Sequence, residues 1–104
     1  MYATVRRYEG IDQSRKDELT SKVEAELMPR LSKLPGFGRY YLIEGKGVMT
    51  SVSVFDTSTQ GEESSRIAAD WLRDEKLDSA LPNEPKITGG EIIAQLTREK
   101  APVA

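Results

Sequence analysis

The chain has 104 residues, of which 38% are hydrophobic and 31% charged, a composition typical of one small globular domain covering residues 1–104. Its formal net charge of −2 predicts no attraction to nucleic acid or to an anionic membrane. Because the sequence has neither cysteine nor histidine, it excludes disulfides, thiolate metal sites, a Ser-His-Asp triad and a histidine-ligated haem or zinc, and no metal or other cofactor is predicted.

Two hydrophobic periods alternate along the chain. A period of two residues is typical of strands, and apolar residues at every third or fourth position are typical of amphipathic helices. In chain order the sequence predicts a strand at 2–8, a helix at 12–33, strands at 37–44 and 48–56, a helix at 62–77 and a strand at 86–97. This β-α-β-β-α-β order predicts the ferredoxin-like split βαβ arrangement of the α+β class, an antiparallel sheet with both helices on one face.

Two local features refine the predicted elements. Pro29 lies inside the first helix, where its nitrogen cannot donate to the carbonyl of Ala25, so a kink or a break is expected there. Glu44-Gly45-Lys46-Gly47 is a glycine-rich segment between two strands and predicts a hairpin turn with positive φ angles.

Strand parity predicts that the two faces of the sheet differ in character. The mostly aliphatic set is expected to carry the helices: Ala3, Val5, Tyr40, Leu42, Val52, Val54, Ile92 and Ala94. The opposite set mixes aromatic, apolar and charged residues: Tyr2, Thr4, Arg6, Tyr8, Arg39, Tyr41, Ile43, Ser51, Ser53, Phe55, Glu91 and Ile93. Contiguous exposed apolar side chains usually mark an interface, so a second copy of the chain is predicted to cover this mixed face. The residues predicted to form that dimer interface are Arg6, Tyr8, Arg39, Tyr41, Ile43, Phe55 and Glu91, with an ion pair expected between the arginine at 6 and the glutamate at 91.

Trp71 and Tyr40 are the candidate ligand-binding residues. Both are assigned to the space between the helices and the sheet, and each has a polar atom that can orient a ligand. Trp71 also falls within the apolar stripe of its helix, and one of the two tyrosines Tyr40 and Tyr41 is expected in the core. Simple core packing is therefore the alternative for both candidates.

Several of these segments together resemble a known group of proteins. They are the turn Leu34-Pro35-Gly36-Phe37 leading into Tyr40-Tyr41, the strand Ser51-Val52-Ser53-Val54-Phe55-Asp56, and the helix containing Ser64, Ala68 and Trp71. Over residues 2–95 the chain resembles the antibiotic-biosynthesis-monooxygenase-like group of dimeric α+β barrels. This group includes cofactor-free oxygenases of aromatic polyketides, haem-degrading enzymes and domains of unassigned function.

The resemblance implies cofactor-independent oxidation of a small aromatic or quinone-like compound by a homodimer. The alternative is a domain that binds such a ligand without turnover or that serves chiefly in dimerisation. The haem-degrading members use an asparagine on the first strand, a tryptophan on the second helix and a histidine ligand. Trp71 is similar to that tryptophan, but the chain has no histidine and its first strand has no asparagine, which argues against haem degradation.

RNA binding is a second function that the order of elements allows. The RNA-recognition motif has the same element order, and Gly36-Phe37-Gly38 is similar to its glycine–aromatic signature. That signature belongs on the third strand, with further aromatic residues at alternating positions and a basic surface, whereas the third strand here offers Met49, Ser51 and Ser53 and the protein is acidic. The chain starts with a strand-like segment and has no apolar run of the roughly 20 residues that span a bilayer, so a cytoplasmic location is expected.

Overall fold

The computed structural model describes residues 1–98 and confirms the predicted ferredoxin-like fold. The strands are β1 (Tyr2–Glu9), β2 (Phe37–Gly45), β3 (Val48–Phe55) and β4 (Lys86–Glu91). The α-helices are α1 (Lys16–Lys22), α2 (Met28–Ser32) and α3 (Ser58–Asp74), with short 3₁₀ turns at Gln13–Arg15 and Asp78–Ala80. The sheet is antiparallel throughout, in the order β2-β3-β1-β4. No helix within the described residues is long and apolar enough to cross a membrane.

The first helical segment is interrupted, as Pro29 predicted. Between α1 and α2 the residues Val23–Leu27 form a π-helical turn, and the N–H of Met28 donates to the carbonyl of Val23, five residues back. Pro29 then lies in the first turn of α2. The first N–H groups of an α-helix have no carbonyl partner within that helix, so the missing N–H of proline is tolerated there. The π-helical turn therefore accommodates Pro29, and α1 and α2 remain joined in one helical segment.

The hairpin between β2 and β3 is also confirmed. Its loop is Lys46-Gly47, and both residues have positive φ angles, 54° and 79°. Two consecutive positive φ angles define a type I′ turn, whose twist matches that of the flanking strands.

The last strand is shorter than predicted. In the β1–β4 ladder, Tyr2 is paired with Glu91, so β1 offers no partner beyond that point. One further hydrogen bond, from the N–H of Ile92 to the carbonyl of Met1 (2.8 Å), follows the ladder. Because strand pairing ends with β1, the predicted strand at 86–97 stops at Glu91.

The sequence predicted correctly which side of β2 faces the helices, but for β1 and β3 it predicted the wrong side. The helices cover the polar and aromatic set of those two strands, namely Tyr2, Thr4, Arg6, Tyr8, Met49, Ser51, Ser53 and Phe55. Where α3 comes closest to β1, a Cβ at Gly61 would lie 3.0 Å from the ring of Tyr2. The aliphatic residues Ala3, Val5, Val52 and Val54 lie on the outer face instead. Hydrophobic alternation reports the period of a strand, but it does not report which face the helices cover when both faces are largely apolar.

Candidate functional site

A small cavity, here called the inner cavity, lies between the sheet and the helices. Its volume is about 30 Å³. Its walls are mainly aliphatic with a few polar groups, formed by Arg6, Tyr8, Leu19, Val23, Leu27, Tyr40, Leu42, Met49, Ser51, Ala68, Leu72 and Leu81. Apolar walls with a few convergent polar groups are usual for small-molecule sites, but at about 30 Å³ this cavity by itself is too small for an organic ligand.

Arg6 is the most unusual residue of this chamber. Its side chain is buried, with 8% of the residue exposed, and its Nη1 donates to the carbonyl oxygen of Ser65 on α3 (3.0 Å). Its Nε has no hydrogen-bond partner, and the neighbouring hydroxyl of Ser65 is likewise unpaired. Among the ion pairs of residues 1–98, none involves Arg6. Burying a guanidinium without a countercharge is unfavourable, so the geometry suits an anionic group of a ligand.

Two tyrosine hydroxyls accompany this guanidinium. Burial raises the pKa of Tyr40 to about 12, although the nearby hydroxyl of Ser51 lowers it in part. Burial also raises the pKa of Tyr8, and the positive charge of Arg6 offsets part of that increase. Both phenols are therefore neutral at physiological pH, and each can donate its O–H to an oxygen of a ligand.

An open groove, here called the outer groove, adjoins the inner cavity. Its volume is about 330 Å³, and it runs between the C-terminal half of α3 and the connector that leads to β4. Its lining residues are Arg6, Tyr8, Ala69, Leu72, Arg73, Asp78, Leu81, Pro82, Asn83, Glu84 and Pro85. The connector is held in place by Asn83, whose Nδ2 donates to the carbonyl of Glu9 (2.9 Å). Within residues 1–98 no three carboxylates come together as a metal-binding group.

The two residues predicted to bind a ligand are not brought together. Tyr40 lines the inner cavity, whereas Trp71 does not. Trp71 is buried on the side of α3 that faces the π-helical turn, and its Nε1 donates to Oε1 of Glu26 (3.4 Å). It belongs to the hydrophobic core with Leu19 and Leu31, which is the alternative that its helical spacing allowed.

The residues predicted for a dimer interface are divided between the two faces. Arg39, Tyr41 and Ile43 are exposed on the outer face, in agreement with the parity of β2. The assignment of Arg6, Tyr8 and Phe55 to that face is wrong, because the helices cover all three and Phe55 is 0% exposed.

The expected ion pair between Arg6 and Glu91 is not formed. In the ladder Arg6 is paired with Ile87, whereas Glu91 is paired with Tyr2 four residues away. The carboxylate of Glu91 instead lies 3.5 Å from the N-terminal amino group.

The sequence pattern thus singles out Arg6 and Tyr8 but predicts the wrong role for them, and it does not predict Ser51 as part of the cavity wall. The pairing register between β2 and β3 indicates the correct face for Ser51. If Tyr40 and Leu42 face the helices, their cross-strand partners Ser53 and Ser51 must face them too. The cross-strand register therefore indicates that the polar residues of β3 face the helices.

Comparison with known proteins identifies the fold. No protein-family model matches the chain, and no curated protein matches it in sequence. Solved structures do match over nearly the whole chain. A protein of unknown function from Nitrosomonas europaea has 16% identity and a TM-score of 0.72, covering 95% of each chain.

Two ligand-bound structures are similar to the same degree. The monooxygenase ActVA-Orf6 of Streptomyces coelicolor in complex with Nanaomycin D has 13% identity and a TM-score of 0.72, covering 94% of this chain and 92% of its own. A variant of MhuD with two manganese protoporphyrin IX molecules bound per active site has 12% identity and a TM-score of 0.72, covering 94% of this chain and all of its own. At these identities the likeness shows the fold alone. The chain therefore has the fold shared by the antibiotic biosynthesis monooxygenases, as its sequence predicted.

Proposed function

We propose that the protein is a cofactor-independent monooxygenase that oxidises a small aromatic or quinone-like compound bound beside Arg6. The observation that carries this proposal is the buried guanidinium without a countercharge, placed between a small apolar cavity and an open groove. A ligand with an acidic phenol or enol would supply the missing negative charge. Tyr8, which lines both the cavity and the groove, would donate a hydrogen bond to its oxygen atom.

The chemistry that suits this arrangement begins with ionisation of the substrate. A cation that binds the anion more strongly than the neutral molecule lowers the pKa of the bound phenol or enol. The resulting electron-rich carbon can transfer electrons to dioxygen, so that a C–O bond forms and a peroxide results. Loss of the C–H proton together with cleavage of the O–O bond then leaves a carbonyl group and water. The net change is CH₂ + O₂ → C=O + H₂O, with the substrate as the reductant and dioxygen as the oxidant.

The similar structures support this proposal without deciding it. One of them is a monooxygenase in complex with the ligand Nanaomycin D, but another of the same fold is a protein of unknown function. Fold alone does not fix function, because one fold carries different sites. Arg6 and Tyr8, more than the likeness of fold, therefore support this activity.

Oxygen consumption tests the proposal directly. Purified protein is incubated with anthrones and hydroxynaphthoquinones, and oxygen uptake is recorded beside the shift in melting temperature that each compound causes. The matched control is the O-methyl ether of each compound, which keeps the ring system but cannot ionise at that oxygen. We expect uptake and a melting shift with the acidic compound and neither with its ether. A melting shift without oxygen uptake would instead assign the protein a ligand-binding role, and equal responses to acid and ether would refute the role of Arg6.

We also propose that the protein is a homodimer joined through the outer face of the sheet. Tyr41 and Ile43 are 48% and 54% exposed there, and Tyr41 lies in register with Val52 and Val5 on the next two strands. These side chains form an apolar surface that the helices cannot cover because they lie on the other side. A second copy of the same sheet is the simplest cover. Sedimentation at micromolar concentration tests this, and a monomer there would contradict it.

A further inference from the structure

The boundary between the two spaces suggests how two reactants could be kept apart. Four residues line both the inner cavity and the outer groove: Arg6, Tyr8, Leu72 and Leu81. The remaining walls differ, because the inner cavity is otherwise mainly aliphatic, whereas the groove is lined by Arg73, Asp78, Asn83 and Glu84. A molecule in the groove that contacts Arg6 therefore lies directly beside the inner cavity.

The sizes of the two spaces select different occupants. A single water molecule requires at least about 10–15 Å³ of cavity volume. The inner cavity, at about 30 Å³, has room for a molecule of two heavy atoms but not for an aromatic ring. The outer groove, at about 330 Å³, falls within the range of pockets that hold small organic ligands, which begins at about 300 Å³.

We propose that the inner cavity is a dioxygen subsite and that the organic substrate lies in the outer groove with its acidic oxygen on Arg6. This inference rests on the proposed function, since it divides that reaction between two subsites. Dioxygen is small and apolar and suits the aliphatic walls formed by Leu19, Val23 and Leu27. The charged oxygen of the ionised substrate then lies at the boundary between the two spaces, and dioxygen in the inner cavity lies next to the bound anion.

Two adjacent alanines on α3 provide a matched pair of variants. Ala68 lines the inner cavity only, and Ala69 lines the outer groove only. Both are half-buried in the same helix, so replacement by valine changes helix propensity equally at the two positions. The larger side chain reduces the inner cavity in Ala68→Val and the groove in Ala69→Val.

The kinetic test measures oxygen uptake at varied oxygen and varied organic substrate. We expect Ala68→Val to raise the KM for dioxygen several-fold with little change in the KM for the organic substrate. We expect Ala69→Val to do the reverse. If both variants change only the KM of the organic substrate, or if Ala68→Val leaves the KM for dioxygen unchanged while uptake persists, the division into subsites is refuted and the proposed function stands.

A second measurement does not require turnover. Crystals pressurised with xenon should show a xenon atom in the inner cavity of the wild type and of Ala69→Val but not of Ala68→Val. If no compound is oxidised but xenon follows this pattern, the proposed function fails and the small-gas cavity remains. Absence of xenon from the wild-type cavity would overturn the inference. Should Ala68→Val fold poorly, Val23→Ile fills the same cavity from the opposite wall and is measured in its place.

Discussion

Replacing Arg6 with methionine separates a ligand-binding role from a structural role by the sign of the stability change. Methionine keeps most of the length and apolar stem of arginine but removes the buried charge. The variant loses the hydrogen bond from Nη1 to the Ser65 carbonyl, which contributes about 1.5–3 kcal/mol as a bond from a charged donor. It also removes the desolvation penalty of an unpaired guanidinium, which amounts to several kcal/mol. We therefore expect the free energy of unfolding to stay within about 1 kcal/mol of the wild type or to rise.

The same variant should bind an acidic ligand weakly. A charge-assisted hydrogen bond of about 1.5–3 kcal/mol corresponds to a loss of about 10–150-fold in affinity, since about 1.4 kcal/mol is tenfold. Arg6→Lys keeps the charge but not the planar fork, so we expect it to lie between the wild type and Arg6→Met. The control is Arg7→Met, which removes a neighbouring arginine that is exposed on the other face of β1.

Two assays check this prediction together, namely denaturant unfolding and titration with the acidic ligand followed by melting temperature. The combination of unchanged or increased stability with weakened binding supports an anion site. A decrease of several kcal/mol in stability with unchanged binding would refute it, because Arg6 would then be a structural residue.

Three further outcomes follow from the placement of individual side chains. Trp71→Phe should lower stability by about 1–2 kcal/mol, through lost volume and the lost bond to Glu26, and should leave oxygen uptake unchanged; a loss of uptake with an unchanged melting temperature would restore Trp71 to the site. Ile43→Asp should weaken a dimer in sedimentation experiments, whereas Ser21→Asp on the exposed side of α1 should not, and equal behaviour of the two would contradict the outer-face interface. Because the pKa of Tyr40 is raised from 10.0 to about 12, its contribution to stability is fully present below pH 10 and is lost as pH rises toward 12. Since the pKa of Tyr8 is also raised, ultraviolet titration of phenolate should show one late-titrating tyrosine fewer in Tyr40→Phe than in the wild type, and an unchanged number would contradict the assignment.

The sequence predicted the elements well because each depends on local signals. The interruption at Pro29 follows from one missing N–H, and the hairpin follows from residues that tolerate positive φ. The faces of β1 and β3 depend instead on which side the helices pack, and that is a tertiary property. Val5 and Val52 favoured one side, but the helices cover Arg6 and Ser51. A cavity wall must be partly polar to bind a polar ligand, so the rule that places aliphatic residues inside fails at such a site.

The candidate site was less predictable than the fold for the same reason. Tyr40 was placed correctly in the space between sheet and helices, because its parity on β2 was read correctly. Strand parity predicts Arg6 on the mixed face, and because buried charges tend to pair, an ion pair with Glu91 on the same face is expected. The ladder separates those two residues, and Arg6 itself takes part in none of the ion pairs of residues 1–98. The departure from ordinary pairing is what makes this arginine a candidate ligand group.

The dependence of activity on pH should follow the substrate rather than the protein. The chain has no histidine, the side chain whose ordinary pKa lies nearest neutrality, and burial raises the pKa of Tyr8 and Tyr40 above that of a free phenol. The step that requires loss of a proton is then the ionisation of the bound phenol or enol, which the charge of Arg6 favours. We expect the midpoint of the rise in kcat/KM with pH to move with the pKa of each substrate in a series of substituted anthrones. Arg6→Met should shift the midpoint of kcat for a given anthrone to higher pH, because the bound anion loses its countercharge. A midpoint that stays fixed across the series would show that a group of the protein takes the proton, and the mechanism based on the acidity of the substrate would then be wrong.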